Sequence, residues 1–335
     1  MLEFNDNFEN VDIEKWLKLN NESENGCVFQ SPEMYKFWLN QKGYKPFVFS
    51  VKSVQGELLA ICLTVIQSNG SWPMSALSKR AIIYGGPIFQ SHNNRKEIIT
   101  FLFKNINKKI SKKVIFAETR NLSSYGEFDQ IYKDNKWNYI PYQNFILKLT
   151  TEEEKFKLFT SEKRRQIRRS IKEGVEISYE NNKENIEGVY NVIHRIYVEK
   201  VKKPLQSLHF FESLCEQNFA NVVALKFDNK IIGGAFLLYD EKTVYDWYRG
   251  GLDREYKHQF PSTLAAWAVI KYGFENNKES FDFMGAGIKG EDYGVRKFKA
   301  QFGGELVEYG RFTIIFKPLL YNLGILGLKI LSKIK

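Results

Sequence analysis

Two stretches of alternating apolar and polar residues punctuate the chain. Phe47 to Lys52, a turn around Gln55-Gly56 and Leu58 to Val65 carry the period-two pattern of a β-hairpin. Val222 to Phe227, a turn at Asp228-Asn229 and Ile231 to Leu238 carry the same pattern again. Downstream of each hairpin the landmarks keep one offset: Gly85-Gly86 and Gly250-Gly251 lie 165 positions apart, as do Phe116 and Phe281, and Trp137 and Phe302. Each copy reads as hairpin, strand into Gly-Gly, helix, strand, short helix and a final hairpin. The helices are Arg95 to Ile110 and Ser262 to Asn276, with apolar residues at mostly helical spacing. A unit of strands and helices repeated once predicts an α/β fold, with mixed central sheets flanked by helices.

Between the copies, Thr150 and Glu153 form a capping-box pattern, so a helix is expected to begin there. A second helical segment, Ser161 to Glu173, ends at Gly174. The expected division is therefore 1–150 for a first domain and 151–316 for a second. Residues 317–335 follow as a C-terminal amphipathic helix. A length of 335 residues suits two such domains.

Composition narrows the class. A hydrophobic content of 43%, with 27 Phe and 18 Tyr, is enough for globular cores. Met1 to Asn10 has neither a basic segment nor an apolar run, so no leader is expected and the cytoplasm is the expected location. Cys27, Cys62 and Cys215 are far apart and lack metal spacing, which reads as buried thiols. The formal charge of +10 favours a polyanionic partner: nucleic acid, a phosphorylated substrate or an anionic membrane surface.

Three constellations could carry chemistry. In Lys163 to Lys172 six of ten residues are basic; on a helix Arg164, Arg168 and Lys172 share one face, and Ile167 and Ile171 another that can pack inward. That stripe either grips phosphates or is a solvated face. Next, Phe281 to Gly287 is a buried strand breaking into a loop with Gly285 and Gly287, followed by Gly294 to Gly303 with Phe298 and Lys299 side by side. An aromatic can stack on a base or wall an acyl pocket while the adjacent ammonium meets a phosphate or an oxyanion. Asp282 either orients or deprotonates an amine or holds the glycine loop. The third is Tyr245 to Gly251, an aromatic strand ending in Tyr248 and Arg249. No Walker or dinucleotide-binding glycine pattern, serine elbow or metalloprotease helix is present, and His92, His194, His209 and His258 lack ligand spacing, so no metal is expected. Pro318 to Lys335 interleaves apolar residues with Lys329, Lys333 and Lys335, a poor membrane span that suits either interfacial contact or docking on its own domain.

At Phe29-Gln-Ser-Pro with Trp38, Tyr84-Gly-Gly-Pro87, Arg164 to Arg169 leading to Gly174-Val175, Phe281 to Gly285, and Phe298 to Gly303, the sequence resembles the Fem family of peptidoglycan interpeptide-bridge aminoacyltransferases and the wider GNAT-like group. The resemblance implies a tandem pair of GNAT-like domains. It also implies transfer of an amino acid from aminoacyl-tRNA to an amine of a peptidoglycan or related cell-envelope precursor, without a cofactor. It gives Phe298 and Lys299 the acceptor end of the tRNA, so the second domain is expected to be catalytic and hold the donor, and the first to hold the acceptor or brace the cleft. Lys299 and Asp282 are the expected catalytic residues; Phe298, Arg164, Arg168, Gly285 and Gly287 the donor-binding set; Tyr248, Arg249 and Lys203 the substrate-binding set. Lys202, Lys203 and Gln206 stand where an arginine is expected before Phe210-Phe211. Two other readings remain: an acyl-CoA-dependent GNAT N-acyltransferase acting on a surface-polysaccharide or lipid intermediate, and a non-enzymatic module binding RNA or membrane. Tyr256 to Ser262 departs from the usual pyrophosphate loop, although a helix N-terminus there could still take phosphate.

Overall fold

The computed structural model describes residues 1–68, 74–90 and 94–334; His92 and Lys335 lie outside them, as do the side chains from Leu328 on. The chain forms two compact units, Met1–Tyr142 with Glu308–Lys335, and Gln143–Val307.

In the first unit the sheet runs, edge to edge, Leu2–Asn5, Tyr44–Ser53, Leu58–Gln67, Arg80–Gly85, Phe116–Asn121, Arg311–Ile315 and Asn138–Ile140, with Ile88–Phe89 also on Leu58–Gln67. One face packs against the helix Arg95–Ile110, whose Ile98, Ile99, Leu102, Phe103, Ile106 and Ile110 recur at helical spacing and are all buried. In the second unit the order is Glu305–Glu308, Gln143–Lys148, Ser280–Asp282, Thr243–Gly251, Lys230–Tyr239, Ala220–Phe227 and Glu176–Ser178. Its helix Pro261–Glu275 is buried on nearly every side, from Leu264 continuously to Ile270, a helix with no solvent stripe to conserve.

The repeat is visible in the pairing. Arg80–Gly85 runs parallel to Phe116–Asn121, and Thr243–Gly251 runs parallel to Ser280–Asp282. Both antiparallel hairpins form, and the second turns through Asp228 and Asn229 at φ 48° and 58°, the two left-handed residues that a tight primed turn requires. All three cysteines are buried thiols.

The final hairpin of each copy does not form. Gln143–Lys148 pairs with Ser280–Asp282 in the second sheet, and Arg311–Ile315 pairs with Phe116–Asn121 in the first, so the two copies exchange their last strands. Where the sequence reading divides the chain at 150 and 316, the compact units divide at Gln143 and Glu308, because these strands take their hydrogen bonds from the other copy's sheet. Two local expectations shift as well. The cap of helix Glu152–Leu158 is Thr151, accepting from the Glu154 amide, while Thr150 bonds the Glu154 carboxylate. Ile171 is 53% exposed where Ile167 is buried, because the inward face of helix Ser161–Lys172 centres on Lys163, Gln166, Ile167 and Ser170, and Ile171 sits about 80° round from Lys163. The C-terminal segment is the helix Pro318–Ile334; among the described residues no helix is long and apolar enough to cross a membrane.

Candidate active site

In the second unit the strand Ser280–Asp282 stops because the chain turns into left-handed backbone: Met284 at φ 57°, Gly285 at 103° and Gly287 at 83°. Asp282, 2% exposed, holds that turn. Its Oδ1 accepts from the Met284 amide at 2.6 Å and from Asn144 Nδ2 at 2.6 Å, while Asn144 Oδ1 accepts from the Gly285 amide at 2.7 Å. Burial pushes the Asp282 carboxyl up to about 6, against the pull of these bonds and of Lys299. Gly287 lies further along, its carbonyl accepting from the Gln143 amide.

The short helix Gly294–Ala300 presents Phe298 and Lys299 to this loop. Lys299, 6% exposed, donates to the carbonyls of Phe283 and Gly285, the latter at 2.6 Å. An ammonium has three N–H groups, so one remains after these two bonds. Burial lowers the Lys299 pKa to about 8; Asp246 opposes that shift and Arg249 adds to it.

Asp246 and Arg249 stand three residues apart on one strand, a spacing that normally puts side chains on opposite faces. A register shift opposite Phe236 and Leu237 bulges Trp247 and brings both to the same side, Arg249 Nε to Asp246 Oδ2 at 2.9 Å. The other Asp246 oxygen is buried without a hydrogen-bond partner. Arg249 also donates to the Ser262 carbonyl and lies 5.0 Å from the Phe298 ring centroid. A second cation, Lys163 Nζ, approaches the same ring to 4.4 Å and is held by Gln166 Oε1 at 3.0 Å and Thr263 Oγ1 at 2.9 Å. Burial lowers the Lys163 pKa. Two desolvated cations on one ring fix its orientation, each contact worth about 0.5–2 kcal/mol.

The structure thus brings Lys299, Asp282, Phe298, Gly285 and Arg249 together. It adds Lys163, Asp246 and Asn144, which the sequence reading passed over. Lys163 belongs to the basic run but faces inward, and its step of three and four residues to Gln166 and Ile167 was the available signal. The other expected residues are engaged elsewhere. Arg164 donates to the carbonyls of Lys157 and Phe159 at 2.7 and 2.6 Å, and Arg168 lies over the Phe156 ring. Tyr248 packs among Tyr197, Phe211 and Trp247, with Phe211 edge-on at 5.1 Å. Lys203 is exposed in the segment after the turn Tyr197–Val201.

At the start of helix Pro261–Glu275 the amides are already used. Pro261 has none; the Ser262 amide donates to Asp253 Oδ1 at 3.0 Å; Thr263 and Leu264 donate to the Phe260 carbonyl. Ser262 Oγ is also on Asp253. Gly251 lets the strand pass close beneath, since a Cβ there would lie 2.4 Å from the Ser262 nitrogen.

Residues 216–326 match the FemAB family. That segment, about a third of the chain, is what the likeness to the family rests on. Over 100 residues the chain is 32% identical to aminoacyltransferase FemA of Staphylococcus epidermidis, covering 28% of this chain and 23% of that protein. The chain thus spans about a quarter of the length of the curated relatives it matches. A crystal structure of FemX superposes with a TM-score of 0.71 at 15% identity, over 93% of this chain and 98% of that one. A tandem GNAT protein from the clavulanic acid biosynthesis pathway gives 0.56 at 11%, over 94% and 99%. At such identities these two likenesses show the fold, over nearly all of both units. Among the described residues no His, Cys, Asp and Glu cluster could hold a metal ion.

Proposed function

We propose that this chain is an enzyme of the Fem family and transfers an amino acid from aminoacyl-tRNA to an amine of a peptidoglycan or related cell-envelope precursor. The observation that carries the choice of donor is the occupied first turn of helix Pro261–Glu275. A CoA donor would need amides there for its diphosphate, and Asp253 fills that place with a negative charge. The aminoacyl group is supported by the match to an aminoacyltransferase.

Transfer from an activated ester asks little covalent help of the protein. The amine nitrogen bonds to the ester carbonyl carbon, the bond to the ribose oxygen breaks, and the amine proton ends on that oxygen. Negative charge develops on the carbonyl oxygen between those steps. The third N–H of Lys299 can meet it, and the two carbonyls that already hold the ammonium remove any need to reorganise. Phe298, steadied by Lys163 and Arg249, offers a face to the terminal adenine. Purified protein given labelled aminoacyl-tRNA or labelled acyl-CoA, with a panel of amine acceptors, should transfer label only from the tRNA. Transfer from acyl-CoA alone overturns the reading, and transfer from neither favours a binding module.

On helix Pro318–Ile334, Leu319, Leu323 and Leu326 are 81%, 57% and 55% exposed at i, i+4 and i+7. We read this stripe as a contact with an anionic lipid surface, in keeping with the net charge of +10. The protein should co-sediment with phosphatidylglycerol vesicles, and Leu319→Glu with Leu323→Glu should abolish it. Equal sedimentation of the double variant removes the helix from that role.

A further inference from the structure

The transfer chemistry leaves one buried carboxylate of the site without a task. The Asp246 side chain is 2% exposed, and its bonded cation is Arg249. A guanidinium commonly takes both oxygens of a carboxylate with its fork. Here the fork is turned: Nε donates to Asp246 Oδ2 at 2.9 Å, while NH1 donates to the Ser262 carbonyl at 3.1 Å. Oδ1 is left buried with no hydrogen-bond partner among the described residues. Burying a carboxylate oxygen unmet is costly, and an apolar residue at this position would avoid the cost. The strand does the opposite, since the bulge at Trp247 is what turns Asp246 to the side of Arg249.

Lys299 has the matching need. Two of its N–H groups go to the Phe283 and Gly285 carbonyls, and the third has no acceptor among the described residues. The two residues feel each other's charge: burial lowers the Lys299 pKa to about 8, and Asp246 is the stronger of the two carboxylates that oppose this, ahead of Asp282. Yet no hydrogen bond or ion pair joins them among the described residues, because Arg249 holds Asp246 and the loop carbonyls hold Lys299. The result is an unused acceptor and an unused donor kept apart in one buried cluster. Asp282 does not compete for the role of acceptor through Oδ1, which already takes the Met284 amide and Asn144.

An α-amino ester carries the complement of this pair. Its carbonyl oxygen accepts, and its α-ammonium, on the next carbon, donates and is positively charged. A plain acyl ester has only the first of these and would leave Asp246 buried and unmet when it bound. Position agrees with chemistry. Arg249, bonded to Asp246, lies 5.0 Å from the centroid of the Phe298 ring, the face offered to the terminal adenine. The aminoacyl group of the donor sits on the ribose of that same nucleotide.

We propose that Asp246 Oδ1 receives the α-ammonium of the donor's aminoacyl group, so that the site selects esters with a free α-amine over those without one. This deepens the transfer reading and rests on it for the identity of the donor. Asp246 acts here on specificity; the bonds made and broken in transfer stay the same.

The test is calorimetry on the full chain with stable adenosine analogues, whose ribose carries an amide in place of the ester. Glycine, L-alanine, L-serine and L-lysine derivatives are each compared with a partner that has a hydroxyl in place of the α-amine, so no transfer is needed for the readout. The best-binding amine should exceed its hydroxyl partner by about 10- to 100-fold, the range for a hydrogen bond to a charged group. Asp246→Asn should bring that ratio close to one while the hydroxyl analogue keeps its affinity. A role confined to steadying Arg249 would instead weaken both members of a pair alike. If the asparagine variant does not fold, Asp246→Asn combined with Arg249→Gln removes both charges of the pair together, and the ratio is read in the same way. Equal binding of amine and hydroxyl analogues, binding of none of them, or a ratio that survives in the folded variant would each overturn the proposal. Equal transfer from aminoacyl-tRNA and its N-acetylated form would overturn it too, and would leave the transfer reading intact. A clear preference for the amines, with no transfer from any aminoacyl-tRNA, keeps this subsite and sinks the transfer reading.

Discussion

Lys299→Met is expected to lower the rate of aminoacyl transfer by about 100- to 1000-fold, the loss typical of removing one oxyanion donor. Two effects on stability oppose each other. The carbonyls of Phe283 and Gly285 lose their donor, at a cost of about 1–3 kcal/mol each. A charge no longer has to be buried, which relieves the desolvation that lowers this lysine's pKa. The variant should therefore remain folded by circular dichroism while turnover collapses. The same residue sets a pH dependence. With its pKa lowered to about 8, Lys299 is charged below that pH and loses its proton above it, so the wild-type kcat should decline above about 8. The residual rate of the methionine variant should show no such limb. A wild-type rate still climbing at high pH would mean that the neutral amine is the working form.

Asp282 offers the second large effect, and one that separates its two candidate roles. Only Oδ1 receives the Met284 amide and the Asn144 side chain. Asparagine keeps an oxygen there; alanine does not. As a brace for the glycine turn, Asp282→Asn should hold transfer within about fivefold of the wild type, while Asp282→Ala leaves two buried donors unpaired at about 1–3 kcal/mol each. The alanine variant should lose both melting temperature and at least about 100-fold in rate. If asparagine proves as inactive as alanine while melting like the wild type, the carboxylate is the proton acceptor and not a brace.

Much of the fold could be read from the pattern of residues, and the reasons are local. The hairpins show because alternation and turn chemistry are short-range signals, and Asp228-Asn229 supply the left-handed pair directly. The constant offset of 165 shows because the parallel strand pairs and the buried Trp137 and Phe302 occupy matching places in both copies. Phe298 and Lys299 were legible as adjacent residues after a glycine loop. Asp246 was not, since its meeting with Arg249 depends on a bulge at Trp247 that reverses the parity of the strand. Arg164 looked free to grip phosphate because a sequence shows charge without showing which carbonyls consume it.

The exchanged strands also dictate an order of events at the ribosome. The second unit is one continuous stretch, Gln143–Val307, and has everything it needs once that stretch has emerged. The first is interrupted: Arg311–Ile315 lies between Phe116–Asn121 and Asn138–Ile140, so the half synthesised first waits for a strand made after the whole second unit. At about 5–20 residues per second the delay is roughly 10 to 35 seconds. Through that interval Phe116–Asn121 has an unfilled edge, and the half that begins the chain becomes the last to close.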